Sequence, residues 1–335
     1  MTVRLGTRGS ALALAQSKAV ADAFTRATGR PVELVEIVTA GDRSTAPVAR
    51  LGVGVFVSAL RDALLAKEID VAVHSYKDLP TAPAEGLCLA AVPRREDPRD
   101  VLVARDGLRL SELPAGARVG TGAPRRTAQL RALGLPLELV TIRGNVDTRL
   151  RRVAEGDLDA VVVARAGLLR LGRAAEVTEV LEPDVVLPAC AQGALAVECR
   201  VDDAELVEAF GALDDRAARA TATAERALLA ALEAGCSAPV AGMAVIRRDG
   251  PRESLTLTGL VIRPDGGAEI RRSREVALAD EPAEVVAGRL GAEVAGDLLA
   301  AGAGTILQDL QSQDTRQEDP DGVGRDAQEP PGRGE

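Results

Sequence analysis

Short apolar runs rich in β-branched residues recur along this chain, and most lead through a turn into a stretch of helical periodicity. The run Ile69, Val71, Ala72, Val73 is too brief for a helical core and reads as a buried strand. Its end carries His74, Ser75, Lys77 and Asp78 within five residues, and Pro80 stops any continuation. A chain that alternates such strands with helices is confined to the α/β class. Ligands of open α/β sheets gather at the carboxyl ends of strands, so a lysine beside an aspartate there is a candidate reaction centre. A solvated Lys–Asp pair, worth little, is the competing reading.

The same grammar runs from the N-terminus. Val3 to Leu5 reads as a strand, residues 6–10 as a turn, and Ser10 as the N-cap of a helix that Gly29 stops. Arg8 falls in that strand-to-helix turn, where backbone amides favour an anion, although a solvated turn arginine fits as well. Val32 to Val38 is a strand, and the long loop from Thr39 to about Val55 holds Asp42, Gly52 and Gly54. A helix from Phe56 to Lys67 leads into the strand described above. After the strand Cys88–Val92, residues 93–100 are polar, carry two prolines and read as a crossing between domains.

The alternation then restarts. Strands at Val101–Ala104, Arg118–Gly120, Leu137–Ile142 and Ala160–Ala164 are each expected before a turn, with Pro124 at a first helical position and Asn145 as an N-cap. Arg125, Arg126, Arg143 and Arg149 all fall at the starts of helices that follow strands, and Arg170 lies in the next helix. In a parallel sheet those starts share one edge, so the arginines converge into an anion-binding cleft, guanidinium forks being suited to carboxylates and phosphates. Further strands are expected at Val185–Pro188 and Ala194–Cys199, then a helix from Asp203 to Leu213. The result is two α/β lobes joined by a double crossing, the layout of a cleft-closing binding protein. A separate α+β domain follows, with a helix at Ala217–Ala234, strands near Val240–Ile246, Ser254–Arg263 and Ala268–Val276, and a helix at Pro282–Leu299.

Composition narrows the partners. Phe24, Phe56, Phe210 and Tyr76 are the only aromatics, so base stacking has almost nothing to use. Lys18, Lys67 and Lys77 are the only lysines in an arginine-biased chain. The net charge is −9, of which residues 309–335 supply −5 through eight acids and three arginines. An acidic body argues against a nucleic-acid binder but leaves room for a local arginine-lined cleft. Cys88, Cys190, Cys199 and Cys236 show no CxxC or CxxH spacing, so neither a metal site nor a disulfide framework is indicated. Three of them lie in or beside apolar strands. Cys236 sits in a loop after a helix, where its sulfur can be reached, and the sequence leaves open whether it reacts. With no signal peptide and no membrane-length apolar run, a cytoplasmic protein without a membrane partner is expected. The tail beyond 308 has the composition of a disordered segment.

Seven stretches, in order, carry a resemblance to the hydroxymethylbilane synthase (porphobilinogen deaminase) family: GTRGSALALAQ (6–16), VAVHSYKDLP (71–80), PRR (124–126), IRGNVDTRL (142–150), AGLLRLG (166–172), PACAQGALAVECR (188–200) and ERALLAALEAGCSAPVA (225–241). The resemblance spans residue 3 to about 300. It implies two periplasmic-binding-protein-like α/β domains with a double crossing plus a C-terminal α+β domain. The boundaries are 1–95 with 195–213, then 96–194, then 214–308, and a disordered acidic tail at 309–335.

It also implies a cytoplasmic, monomeric transferase of tetrapyrrole biosynthesis that carries a covalently attached dipyrromethane. Four porphobilinogen molecules join head to tail on that cofactor, ammonia leaves at each addition, and hydroxymethylbilane is released by hydrolysis. In this resemblance Cys236 holds the cofactor through a thioether, and Ser75, Lys77, Asp78, Thr121, Arg125, Arg126 and Gln192 contact it. Arg8, Ser10, Arg143, Arg149 and Arg170 resemble binders of substrate and growing chain, and Asp78 resembles the catalytic acid. Every pyrrole unit brings an acetate and a propionate, so such a cleft must be lined with cations.

Two departures stand out: Leu51-Gly52-Val53-Gly54 is a shortened loop without the family's lysine, and Gly122 and Ala123 replace serines. The rival reading is a non-catalytic two-lobed small-anion binding protein, which would need neither Cys236, nor Asp78, nor a third domain.

Overall fold

The computed structural model describes residues 2–38, 57–234, 238–250, 252–279 and 281–318, with side chains as far as 310. The first part comprises β1 (Val3–Thr7), α1 (Ala11–Thr28), β2 (Val32–Glu36), α2 (Ser58–Leu65), β3 (Val71–Ser75) and β4 (Leu87–Ala91). After a crossing come β5 (Asp100–Ala104), β6 (Arg118–Thr121), α3 (Pro124–Ala132), β7 (Glu138–Thr141), α4 (Val146–Ala154), β8 (Ala160–Ala164), α5 (Arg165–Arg170) and β9 (Glu179–Leu181). The chain then returns through β10 (Leu195–Arg200) and α6 (Ala204–Gly211). The last part is α7 (Arg216–Ala231), β11 (Val240–Asp249), β12 (Arg252–Ile262), β13 (Glu269–Ala277), α8 (Ala283–Ala300) and α9 (Ala303–Glu318).

Two five-stranded sheets, β2-β1-β3-β10-β4 and β7-β6-β8-β5-β9, form the two α/β lobes, and β11-β12-β13 form a third sheet. Neither large sheet is purely parallel. β1 runs parallel to β2 and β3, whereas β10 is antiparallel to both of its neighbours. In the second sheet β6 is parallel to β7 and β8, whereas β5 is antiparallel to β8 and β9. The two antiparallel strands are those that enter from the crossings. An antiparallel strand begins where its parallel neighbours end, so Leu195 pairs with Ser75 and Asp100 pairs with Ala164. Both crossings are thereby delivered to the ligand-binding edges of the sheets.

Local chemistry explains the elements that frame this edge. Ser10 caps α1 by accepting from Ala13 N at 3.3 Å, and Gly29 closes the helix with φ 72°. Gln16, Ser17, Val20, Ala21 and Phe24, spaced three and four apart, are its buried face. There Phe24 stacks on Phe210 with centroids 4.0 Å apart. Each such buried ring contributes roughly 1.5–3 kcal/mol. The rest of that core is Val3, Leu5, Val71, Val73, Ala90, Ala91, Leu195, Val197 and Cys199, in keeping with an aromatic-poor chain. Cys190 and Cys199 are buried, as their apolar settings imply, while Cys88 is half-buried.

Three details differ from the sequence reading. Residues 185–188 are not a strand: Leu187 N donates to Gln129 Oε1 and Leu187 O accepts from Arg125 and Gln129, so side chains take the place of a ladder. The strand of this stretch is instead β9. Helix α9 runs to Glu318 with Ile306 and Leu307 buried, so residues 309–318, assigned by composition to a disordered tail, have helical backbone. Residues 319–335 lie outside the described residues.

Candidate active site

On the first lobe the site is built on the carboxyl end of β3. Ser75, half-buried, exchanges hydrogen bonds with Gln16 of α1, accepting from Nε2 at 3.0 Å. Tyr76–Asp78 form a single 3-10 turn, which brings Lys77 and Asp78 out of the sheet together. Asp78 is exposed, whereas Lys77 is half-buried and donates to Gln192 Oε1 at 3.4 Å. Burial pushes the Lys77 ammonium down to about 8; Asp78 opposes that shift while Arg126 and Arg125 reinforce it. Arg8, half-buried, follows β1 along the same edge, and the Ser10 hydroxyl accepts the cap bond of α1, which leaves its O–H able to donate.

On the second lobe β6 ends at the buried Thr121, and α3 opens with Pro124 at its first position. This points Arg125 and Arg126 inward, and each is only 4% exposed. Arg125 Nη1 donates 2.7 Å to Asp100 Oδ2, and Arg126 Nη2 donates 2.7 Å to Asp100 Oδ1. Asp100 has no exposed surface; burial would raise its pKa, but the two guanidinium charges outweigh burial and hold it far below the usual carboxylate range. Gly122 sits where a Cβ would come within 2.6 Å of Ile142 O and 3.4 Å of Arg149 Nη2, so a side chain there would have to displace backbone.

Gln192, fully buried on the return crossing, joins the two halves. Its amide donates to Pro98 O at 2.6 Å and to Asp100 Oδ1 at 2.8 Å. Its carbonyl accepts from Lys77 and from Arg125 at 3.2 Å. Beside it Gly193, with φ 86°, leaves no room for a side chain, since a Cβ would lie 2.4 Å from Glu96 O. The Gly193 carbonyl accepts from Arg170 at 2.7 Å, and burial lowers that arginine to about 10, with Glu96 acting in the opposite sense. Arg149, in the first turns of α4, donates to Gly144 O at 3.0 Å and is lowered to about 10 by burial and then by Arg126.

The structure therefore brings Lys77, Arg125, Arg126, Arg149 and Gln192 into one cluster, with Asp78 and Ser75 at its first-lobe side and Thr121 beneath the arginines. Arg143 is exposed before α4, and Arg170 reaches the return crossing. Cys236, Asp42 and the Gly52–Gly54 loop lie outside the described residues. Asp100 was not singled out from the sequence. Its signal was its place as the first residue of a strand entering from the crossing, opposite a pair of inward arginines. Arg95 was also missed; it donates to Gln192 O and to Glu225, which fixes the return crossing from behind.

Chemically the cluster is short of anions. Among the described residues Lys77, Arg149 and Arg170 form no ion pair, and Arg126 Nε is buried without a hydrogen-bond partner. One buried carboxylate, Asp100, serves two guanidinium groups. Such a donor set fits a ligand bearing several carboxylates, since each would find a fork or an ammonium already facing it.

Comparison with known proteins shows the family. Residues 3–208 match the model "Porphobilinogen deaminase, dipyromethane cofactor binding domain", and residues 219–300 match "Porphobilinogen deaminase, C-terminal domain". The chain is 58% identical over 313 residues to the porphobilinogen deaminase of Nocardia farcinica, covering 92% of this chain and 88% of that one. It is 56% identical over 311 residues to porphobilinogen deaminase 1 of Streptomyces coelicolor, covering 91% and 97%. Among solved structures, a periplasmic substrate-binding protein of an ABC transporter from Coxiella burnetii aligns with TM-score 0.42 and 14% identity over 63% of this chain and 91% of that one. On the two family matches and these relatives, the chain belongs to the porphobilinogen deaminase family.

Proposed function

We propose that this chain condenses four porphobilinogen molecules head to tail, with loss of ammonia at each addition and hydrolytic release of hydroxymethylbilane, as a cytoplasmic monomeric transferase without a nucleic-acid partner. The observation that carries the reading is the anion-poor cluster of Lys77, Arg125, Arg126 and Arg149 beside the exposed Asp78. The dipyrromethane fits it, because its four carboxylates match a donor set with too few acids. When bound, that group supplies the pyrrole carbon to which the first substrate unit is joined.

The protein's own residues supply the rest. Lys77, Arg125 and Arg126 hold carboxylates of the cofactor, and Gln192 keeps these three cations aligned through one carbonyl oxygen. Thr121 and Ser75 offer hydroxyls at the carboxyl ends of β6 and β3. Arg8, Ser10, Arg143, Arg149 and Arg170 receive the carboxylates of incoming units. Asp78 stands out from the cluster as an open carboxylate. There it can accept and return a proton and stabilise the positive charge that appears on the pyrrole as ammonia leaves.

The domain boundaries 1–95 with 195–213, 96–194 and 214–308 belong to the same proposal, and the third unit supplies Cys236 as the thioether anchor. A bare anion-binding protein has no use for that third unit, which the family match includes. The test is an intact mass. Native protein should exceed its calculated mass by two pyrrole units, and Cys236→Ser should match its calculated mass and be inactive. A fully active Cys236→Ser would refute the attachment.

A further inference from the structure

We propose that Arg226 of α7 is a positioning residue that clamps the turn bearing Lys77 and Asp78, a role that rests on the deaminase reading above. Its Nη1 donates to the carbonyl oxygens of Tyr76 at 3.2 Å and Leu79 at 2.9 Å, and its Nη2 donates to that of Pro80 at 2.5 Å. The guanidinium carbon also lies 4.4 Å from the centroid of the Tyr76 ring. The three carbonyls bracket Lys77 and Asp78 in sequence, so one side chain grips the main chain on both sides of the pair.

The turn needs such a grip. A three-residue 3-10 turn is held by little of its own backbone: Leu79 N donates to Tyr76 O at a long 3.3 Å, and Tyr76 N donates to Ala194 O at 3.0 Å. Next to it lies a cavity of about 450 Å³, bordered by Leu79, Pro80, Pro83, Ala227 and Ala230 together with Arg226 itself. The buried Tyr76 and Leu79 side chains anchor the ends of the turn in a small core, whereas on the cavity side close packing does not fix the segment. Neither Lys77 nor Asp78 forms an ion pair among the described residues, so the course of the main chain sets where both functional groups stand. A guanidinium, with five donors in a planar fork, can serve three carbonyls and stack on a ring at once; an ammonium has neither the plane nor the span. The arrangement also ties the turn to α7, the helix that leads toward residue 236.

Arg226→Gln tests this, with Arg226→Lys as the milder partner. Misplacing a reacting group by about 1 Å costs on the order of a hundredfold, so kcat of Arg226→Gln should fall tenfold to a hundredfold, with KM changed less than about threefold. The second readout needs no turnover: trace acetylation of Lys77 by acetic anhydride across pH, read by peptide mass. Its midpoint in the loaded enzyme should shift between native and Arg226→Gln protein, because a displaced turn changes the burial of the ammonium and its distance from Asp78, Arg125 and Arg126. Arg226→Lys should move both readouts in the same direction by less, and it decides the matter if Arg226→Gln does not fold. A folded variant with lowered melting temperature but native kcat and native Lys77 midpoint would overturn the clamp. An Asp78→Asn enzyme of native rate would instead overturn the site reading, leaving the Lys77 midpoint as an independent measure of Arg226.

Discussion

Arg95 and Glu225 face each other across two hydrogen bonds of 2.8 and 2.9 Å, and Glu225 has no exposed surface. The same carboxylate accepts from Ala191 N on the return crossing and from Ala244 N on β11. One buried anion thus ties the outgoing crossing, the return crossing and the third sheet together, directly behind Gln192.

Glu225→Gln should therefore act on stability before chemistry. It leaves the Arg95 charge buried without its counter-ion, a loss of about 3–5 kcal/mol when one partner of a buried pair is removed. Urea unfolding should show a lower midpoint, while the folded fraction keeps most of its kcat. An unchanged midpoint would show that Glu225 carries no such load.

Acid sensitivity should arise in part at Glu198. Burial would raise this carboxyl, but the His74 ring nitrogen 3.2 Å away and the Arg61 fork, which donates at 3.0 and 2.7 Å, overcome it and bring its pKa to about 2, against 4.5 for an ordinary glutamate. A depressed folded pKa gives stability that is complete above the unfolded value and is lost as pH falls through the folded one. The contribution is on the order of 3 kcal/mol at neutral pH and fades between pH 4.5 and 2. Glu198→Gln should be less stable at pH 7 and should show a flatter acid limb in thermal melts across that window. A variant that follows the native acid limb would rule out Glu198 as its source.

The arginines should divide by task. Arg125→Leu removes a buried fork on Asp100 and Gln192, so it should leave the cofactor unassembled. Arg149→Leu removes a cation that has no acid partner among the described residues, so the cofactor should load and chain growth should stall. Intact masses after brief exposure to porphobilinogen distinguish the two. Identical spectra would refute the division.

Much of this site can be read along the chain because its parts are local. Lys77 and Asp78 follow a strand by two and three residues, and Arg125 and Arg126 follow Pro124 at a helix start, so strand ends and caps were enough to place them. Asp100, Arg95 and Arg226 could not be read that way, since each acts on a partner far away in sequence. Asp100 reaches the arginines because β5 runs antiparallel, which puts the strand's first residue at an edge where only last residues were expected. Cys236 drew notice as a reachable loop thiol and Gln192 through the matched motifs; the hydrogen bonds that make Gln192 a hub emerge only when both crossings are seen side by side.

Asp78 provides the sharpest test of the chemistry. It is exposed at the end of the 3-10 turn, one residue from a lysine whose ammonium is turned to Gln192 and the buried arginines. The carboxylate side of the pair is thus left open toward an incoming pyrrole. Asp78→Glu keeps the charge and moves it by one methylene, so part of the rate should survive. Asp78→Asn keeps the shape but removes both the charge and the capacity to carry a proton. General acid–base catalysis and electrostatic stabilisation are each worth roughly a hundredfold or more. The Asn variant should therefore lose about ten-thousandfold or more in kcat if the two effects combine, while it still binds porphobilinogen and contains the cofactor mass. Single-turnover rates on enzyme shown by mass to be loaded would measure this directly. An Asp78→Asn enzyme that is fully loaded and retains most of its rate would transfer the acid's role to another group.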